Sequence, residues 1–168
     1  MLAIIDCDIL STFAKIDRIE LLEKLFSKLQ MPDAVYVELV KAKTLGFEFP
    51  DNVFESKIEL TTLKQDEFKD FEKFIRNPSI HPGEAEGMSI AKNRSAIFLT
   101  NDKKVVRLCE KNNILVLDLK DVLRQIAREK LVDKGKMLQI LKDIETKDYT
   151  VIKEKDEILD EYLDNSIP

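Results

Sequence analysis

Four carboxylates stand where they could do chemistry together: Asp6, Glu38, Glu84 and Asp102. Asp6 follows the apolar run Leu2-Ala3-Ile4-Ile5, and Asp102 follows Ala96-Ile97-Phe98-Leu99-Thr100 after one intervening residue, Asn101. Both runs read as buried strands, and ligands of open α/β sheets bind beyond the carboxyl ends of strands. Helix N-capping explains an aspartate at either position equally well. Glu38 shares the helical stripe of Val35, Leu39 and Ala42, and Glu84 that of Met88 and Ala91, so both are expected to face apolar neighbours. The bland readings are a solvated edge position for Glu38 and a first-turn acid favoured by the helix dipole for Glu84. A carboxylate on an apolar face is costly unless compensated, and a cluster of them raises its own proton affinity. A hard divalent cation removes both penalties. All-oxygen donors without Cys or His suit Mg²⁺ or Mn²⁺ rather than zinc. Such ions activate water for attack on a phosphodiester and neutralise the charge that develops.

These acids require a scaffold that alternates strands and helices. The pattern predicts strands over 2–5, 57–61, 96–100 and 114–117. It predicts helices over 9–29 with a break near Asp17, then over 32–45, 66–75, 82–93, 101–112, 119–129, 133–146 and 153–163. Pro32 suits a first helical turn, Asn77-Pro78 ends a helix, and 46–52 reads as a loop. Alternation of this kind implies an α/β class fold, a central parallel sheet covered on both faces with right-handed crossovers. The α/β alternation covers 1–132. Residues 133–168 read as a C-terminal helical extension packed on that domain or projecting from it.

Bulk properties narrow the function. The 168 residues are 44% hydrophobic and 35% charged, a balance that suits one globular domain. No apolar run approaches the roughly 18–20 residues that span a bilayer. Asp6 interrupts the first apolar run before a signal peptide could be completed, so a cytoplasmic protein is expected. Two cysteines, Cys7 and Cys109, and one histidine, His81, argue against a disulfide framework, a thiolate zinc site and a Ser-His-Asp triad. The cysteines read as small buried hydrophobes, and His81 as a helix-start residue. The net charge of −5 opposes phosphate binding, yet it is uneven. Residues 103–136 carry ten basic against five acidic side chains, whereas 139–168 carry nine acids against four lysines. Solvated helix faces account for this pattern as readily as a binding surface does.

The quoted strings resemble the PIN-domain family. Ile4-Ile5-Asp6-Cys7-Asp8-Ile9-Leu10 is similar to its opening motif, and Pro32-Asp33-Ala34-Val35-Tyr36-Val37-Glu38-Leu39 to its second. His81-Pro82-Gly83-Glu84-Ala85-Glu86-Gly87 is similar to a third motif, from a prokaryotic single-domain, VapC-like branch, and Leu99-Thr100-Asn101-Asp102 to the fourth. The four occur in the family's order over about 1–117. The resemblance implies a Rossmann-like three-layer α/β/α sandwich and a Mg²⁺ or Mn²⁺ site held by Asp6, Glu38, Glu84 and Asp102. It implies ribonuclease activity, with RNA as partner, an antitoxin protein as a second partner if the chain is the toxin of a toxin–antitoxin pair, and a homodimer. It does not explain the residues from about 133 onward. Asp8 stands where the family often has Asn, Ser or Thr, and reads as a further ligand or, preferably, a helix cap. Thr100 and Asn101 either hydrogen-bond a metal-held water or simply end the strand. Lys103, Lys104 and Arg107 follow Asp102 and either hold RNA phosphates or form a solvated helix face.

Two other functions compete with the ribonuclease. One is a non-catalytic metal-binding, RNA-binding or assembly module that keeps the carboxylates. The other is a phosphatase of the haloacid dehalogenase type, with Asp6 as nucleophile and Asp8 as acid/base. Ile9 and Leu10 depart from that pattern.

Overall fold

The computed structural model describes residues 1–163. Its centre is a five-stranded sheet, all parallel, in the order β3-β2-β1-β4-β5. The strands are β1 (Leu2–Ile5), β2 (Lys28–Pro32), β3 (Glu59–Thr61), β4 (Ile97–Leu99) and β5 (Val116–Leu117). Helices α1 (Cys7–Lys15) and α2 (Ile19–Leu25) join β1 to β2, while α3 (Asp33–Thr44) and α4 (Phe49–Phe54) join β2 to β3. Next come α5 (Phe68–Ile75) and α6 (Pro82–Asn93) before β4, and α7 (Lys103–Lys111) before β5. The chain ends with α8 (Leu119–Arg128), α9 (Lys134–Asp143), a π-helical turn (Ile144–Asp148) and α10 (Lys155–Asp160).

The sheet separates two cores because successive strand residues point to opposite faces. On β1, Ala3 and Ile5 enter the larger core with α1, α2, α8 and α9, while Ile4 enters the smaller one with α5, α6 and α7. On β4, Leu99 joins the first and Phe98 the second. The fold is therefore the expected three-layer α/β/α sandwich, helices on both sheet faces.

One strand was hidden in the sequence. The leucine spacing Leu21, Leu22, Leu25, Leu29 extends the expected helix through residue 29. The helix ends instead at Leu25, with Phe26 already extended (φ −115°, ψ 132°), and Lys28 begins β2. Lys-Leu-Gln-Met-Pro has little strand propensity. Its conformation is imposed from both sides, since β2 pairs with β1 and with β3. The buried Gln30 is satisfied by donating to Glu59 (3.0 Å). Pro32 ends that strand and stands just before α3 rather than inside its first turn. The break near Asp17 is present, and Asp17 is left-handed (φ 56°). The expected loop 46–52 is in part α4, which starts at Phe49 with Pro50 next to it.

The segment from Lys134 onward packs on the helical layer. Met137, Ile140, Leu141, Ile144, Ile152 and Ile158 join the larger core. Asp148 anchors it to α1: its carboxylate accepts from Thr12 Oγ1 (2.8 Å) and Lys15 Nζ (2.7 Å), and from Thr150 Oγ1 (2.7 Å). Glu161 takes Arg124 and Arg128 of α8, and these guanidinium groups hold its carboxyl below the ordinary range. Residues 164–168, the end of the acid-rich stretch, lie outside the described residues.

Candidate active site

Strand order reverses between β1 and β4, because the chain builds outward from β1 to β3 and then returns to β1's other side. Ligand crevices of open α/β sheets form at such a switch point. Here a cleft of about 430 Å³ opens at the carboxyl ends of those two strands, lined by Asp6, Cys7, Asp8, Ser11, Glu38, His81, Glu84 and Asp102. All four carboxylates singled out in the sequence meet in it. A hollow of about 470 Å³ elsewhere is lined mainly by Leu25, Phe26, Ile97, Leu117 and Leu131, with one carboxylate, Glu129; it offers no comparable chemistry.

Three of the four acids, Asp6, Asp102 and Glu84, accept from backbone N–H groups. Asp6 caps α1, with Oδ1 accepting from Cys7 N (2.8 Å), and its Oδ2 accepts from Thr100 Oγ1 (3.1 Å). Asp102 caps α7, with Oδ1 accepting from the N–H groups of Lys104 (2.7 Å) and Val105 (3.1 Å). The Asp102 N–H reaches Thr100 Oγ1 at 3.4 Å, so the fully buried Thr100 hydroxyl joins the two strand-end acids. Both aspartates cap helices, the plainer of their two readings, and both also line the cleft. Glu84 Oε2 accepts from His81 N (2.7 Å) at the start of α6, which makes His81 the expected helix-start residue.

Two expectations need correction. Glu38 does not face the apolar interior: it is exposed, whereas Val35 and Leu39 beside it on the stripe are buried. The α3 surface one turn from a buried position is already the cleft wall, so the i, i+3 relation placed Glu38 at the edge of the apolar stripe. Asp8 is not the cap of α1, since Asp6 takes that place. Asp8 instead accepts from Ile9 N (2.5 Å) through Oδ1 and from Asn101 N (2.7 Å) through Oδ2, tying α1 to the loop after β4.

Burial dominates the electrostatics. Asp6, only 7% exposed, is pushed up to about 8 by burial and then by the Asp8 charge, with Glu84 adding to it; the Cys7 N–H and the Thr100 hydroxyl pull the other way. Burial likewise raises Asp8, where Asp102 and Asp148 add repulsion, and Glu84, where Asp102 and Asp8 do. Burial and then Glu38 hold the Cys7 thiol far above its ordinary range, so it stays protonated.

A model of the PIN domain matches residues 2–163. The chain belongs to the PIN-domain family. PIN domains are generally metal-dependent nucleases that act on nucleic acids. No curated protein matches the chain. The family match runs on through the helices after Asp133, which the motif strings left unexplained.

The PIN domain's cleft suits a divalent ion in the kind of donor it offers. Asp6, Asp8, Glu38, Glu84 and Asp102 supply hard oxygens. A cation would offset the burial that chiefly raises Asp6, Asp8 and Glu84 and relieve the mutual repulsion that adds to it. Among the described residues, no three His, Cys, Asp or Glu side chains are gathered tightly enough to hold an ion as they stand. The hydrogen bonds explain the spacing, because each of Asp6, Glu84 and Asp102 is drawn toward an N–H of its own helix start. One oxygen of Glu84 (Oε1) and one of Asp102 (Oδ2) have no hydrogen-bond partner among the described residues.

Gly83 is a site residue that the sequence reading passed over. A Cβ built there would lie 3.2 Å from Val35 Cγ2, 3.5 Å from Glu38 Oε1 and 3.8 Å from Asp6 Oδ1. Gly83 thus keeps open the space into which two carboxylates from different elements reach. Its only signal in the sequence was a glycine directly before Glu84, inside a helix start. Ser11 and Cys7 also line the cleft, the latter half-buried rather than in the core, whereas Cys109 is fully buried. Lys103, Lys104 and Arg107 are exposed on α7, which begins at Asp102.

The raised carboxyl of Asp6 has a pH consequence. A folded value of about 8 against an ordinary 3.8 means that the folded ion-free protein holds a proton the unfolded chain has lost. Stability therefore falls as pH rises between these values and levels above about 8. Glu67, Asp70 and Glu161 are lowered and act the opposite way, but only as pH falls through the acidic range. In EDTA the melting temperature should drop from pH 5.5 to pH 8, and Mn²⁺ should restore it at pH 8. A melting temperature that rises across that window would contradict the assignment of Asp6.

Proposed function

We propose that the protein is a Mg²⁺- or Mn²⁺-dependent endoribonuclease that hydrolyses RNA phosphodiesters in the cytoplasm. The observation that carries this reading is the convergence of Asp6, Glu38, Glu84 and Asp102, from four separate elements, on one open cleft at the sheet's switch point. A bound divalent ion would supply a more acidic water and neutralise charge on the reacting phosphate. Asp6, Glu38, Glu84 and Asp102 would hold it. Thr100 donates to the Asp6 carboxylate and accepts from the Asp102 backbone N–H, and Asp8 fixes the loop that carries Asp102 by accepting from the Asn101 N–H. Lys103, Lys104 and Arg107 offer cations beside Asp102 for flanking phosphates.

This reading extends to a VapC-like toxin that an antitoxin covers, and to a homodimer. It is supported by exposed Tyr36, Val37, Val40, Leu45 and Phe47 in and after α3, the helix that carries Glu38. A non-catalytic RNA-binding or assembly module is the second reading, favoured by the spread of the carboxylates. The phosphatase reading loses its basis. Asp6 is buried and bonded to Cys7 N and Thr100, and the chain is a PIN domain.

Cleavage of single-stranded and hairpin RNA should occur with Mn²⁺, stop with EDTA, and resume when Mn²⁺ is restored in excess. Cleavage that continues in EDTA would overturn the metal dependence. Binding without cleavage of any RNA under all these conditions would favour the binding module.

A further inference from the structure

Tyr149 is 83% exposed and sits in the left-handed region (φ 59°, ψ 19°), a conformation unusual for a bulky residue. The turn is pinned from both sides of Tyr149. Asp148 before it is bound to Thr12 and Lys15, and Thr150 after it donates to Asp148. Observed strain of this kind points toward function, because the surrounding bonds hold an apolar ring out in water. Thr150, the next residue, lines a furrow beside α7, so the ring stands one residue from that furrow in the chain.

Thr150 and Lys153 line a furrow with Asn101, Lys103 and Lys120. Asn101 and Lys103 also line the next groove, together with Arg107. Arg107 in turn lines a third with Lys104 and Lys111. The three are continuous around α7. Six basic side chains face them against three acids, Asp118, Glu154 and Glu110, in a chain whose net charge is −5. Lys120 pairs with Glu157 at 3.7 Å. Among the described residues the other five form no ion pair. Asn101 joins the furrow to the cleft, since its N–H is bonded to Asp8.

We propose that Tyr149 and this furrow form a track for single-stranded RNA, with Tyr149 stacking on a base and Lys103, Arg107 and Lys153 pairing with phosphates. It deepens the ribonuclease reading and rests on it for the substrate class. Cations along a groove together with exposed aromatic rings are the means by which single strands are held without sequence preference, and Tyr149 adjoins Thr150 of the furrow lining. An acidic protein would use the cations but leave a rigidly displayed ring beside them without a purpose.

The test is anisotropy of a fluorescein-labelled oligouridylate with the full chain in EDTA, so that binding is read without cleavage. Tyr149→Ala should weaken binding about tenfold with the salt slope unchanged, and Tyr149→Phe should retain it. Tyr149→Gly, which relaxes the backbone, should lose affinity similarly without lowering the melting temperature. The double variant Lys103→Ala/Arg107→Ala should make the log–log salt slope shallower by about 1.4, from roughly 0.7 per single-strand phosphate contact. Wild-type affinity and slope in all of these variants would overturn the track, even if Mn²⁺-dependent cleavage is intact. Failure of the oligouridylate to bind the wild type would overturn it too, with or without capture of an acidic protein. Binding that responds as expected, with no cleavage on adding Mn²⁺, would uphold the track and remove the ribonuclease reading.

Discussion

Asp6→Asn should lower divalent-dependent RNA cleavage by about a thousandfold, a loss of roughly 4 kcal/mol of transition-state stabilisation, while making the ion-free protein more stable. The two effects have one cause. Asp6 sits at the carboxyl end of β1, 7% exposed, with Asp8 and Glu84 close enough to repel it. That charge is useful only when a cation balances it. Asparagine keeps the shape: its carbonyl oxygen can still accept from Cys7 N, and its amide can face the Thr100 hydroxyl. What disappears is the anion. The stabilisation at pH 8 should be on the order of a few kcal/mol, and it should shrink toward pH 5 as wild-type Asp6 takes up its proton. Kinetics in Mn²⁺ and urea melts in EDTA read the two arms separately. Undiminished cleavage would remove Asp6 from the site, and a less stable ion-free variant would show that its charge is already compensated within the protein.

The second large effect concerns stability, through a residue without a side chain. A Cβ at Gly87 would meet the Phe98 ring at 2.3 Å (Cε2) and 2.7 Å (Cζ). Phe98 is fully buried on β4 and cannot swing into solvent. Gly87→Ala must therefore push α6 off the sheet or force the ring off its rotamer. Overpacking of a core costs about 1–3 kcal/mol and sometimes more. The helix propensity of alanine returns about 1 kcal/mol, so the net loss should be about 2 kcal/mol, the upper end of the difference, because the close approach is to a fully buried ring. Because α6 also carries Glu84, a displaced helix should lower cleavage as well. Urea denaturation should show a lower midpoint, and Phe98→Leu should recover part of it in the Gly87→Ala background. An unchanged midpoint would mean that the contact relaxes without cost.

The ion pair of Glu67 with Arg94 shows how the scaffold around this helix is held. Glu67 is 1% exposed and takes Arg94 through both Nε (2.7 Å) and Nη2 (2.9 Å). Burial works against its charge, yet the guanidinium keeps its carboxyl below the ordinary value. Arg94 follows α6 directly and also reaches Thr61 on β3 (2.7 Å). The helix that presents Glu84 is thus fastened at one end by this network and at the other by the His81 N–H bond to Glu84 itself. Neither Glu67 nor Arg94 stands out in the sequence, since both look like ordinary surface charges.

Local sequence was sufficient for several elements. An apolar run ending in Asp6 and another ending two residues before Asp102 announce β1 and β4, because both strands are buried on two faces and read as continuous hydrophobic stretches. The 82–93 helix carries its own start signal in Pro82 and its own apolar stripe. The order of the four motif strings was enough to place the chain in its family, and alternation of elements was enough for the parallel sheet. Other features had no local trace. β2 exists because β1 and β3 flank it, so hydrogen bonding from both sides overrides a weak strand sequence with helix-like leucine spacing. Glu38's exposure depends on where the cleft wall cuts the α3 stripe, and Asp8's bond to Asn101 closes 93 residues of chain. The fold class and the four candidate carboxylates were legible in the residues alone, because strand ends and helix stripes are local patterns. That the four acids line one cleft, that burial pushes Asp6 up to about 8 and raises Glu84 as well, and that Gly83 keeps space open beside Glu38 and Asp6 came from the packing, because distance, burial and charge repulsion arise only when separate elements come together.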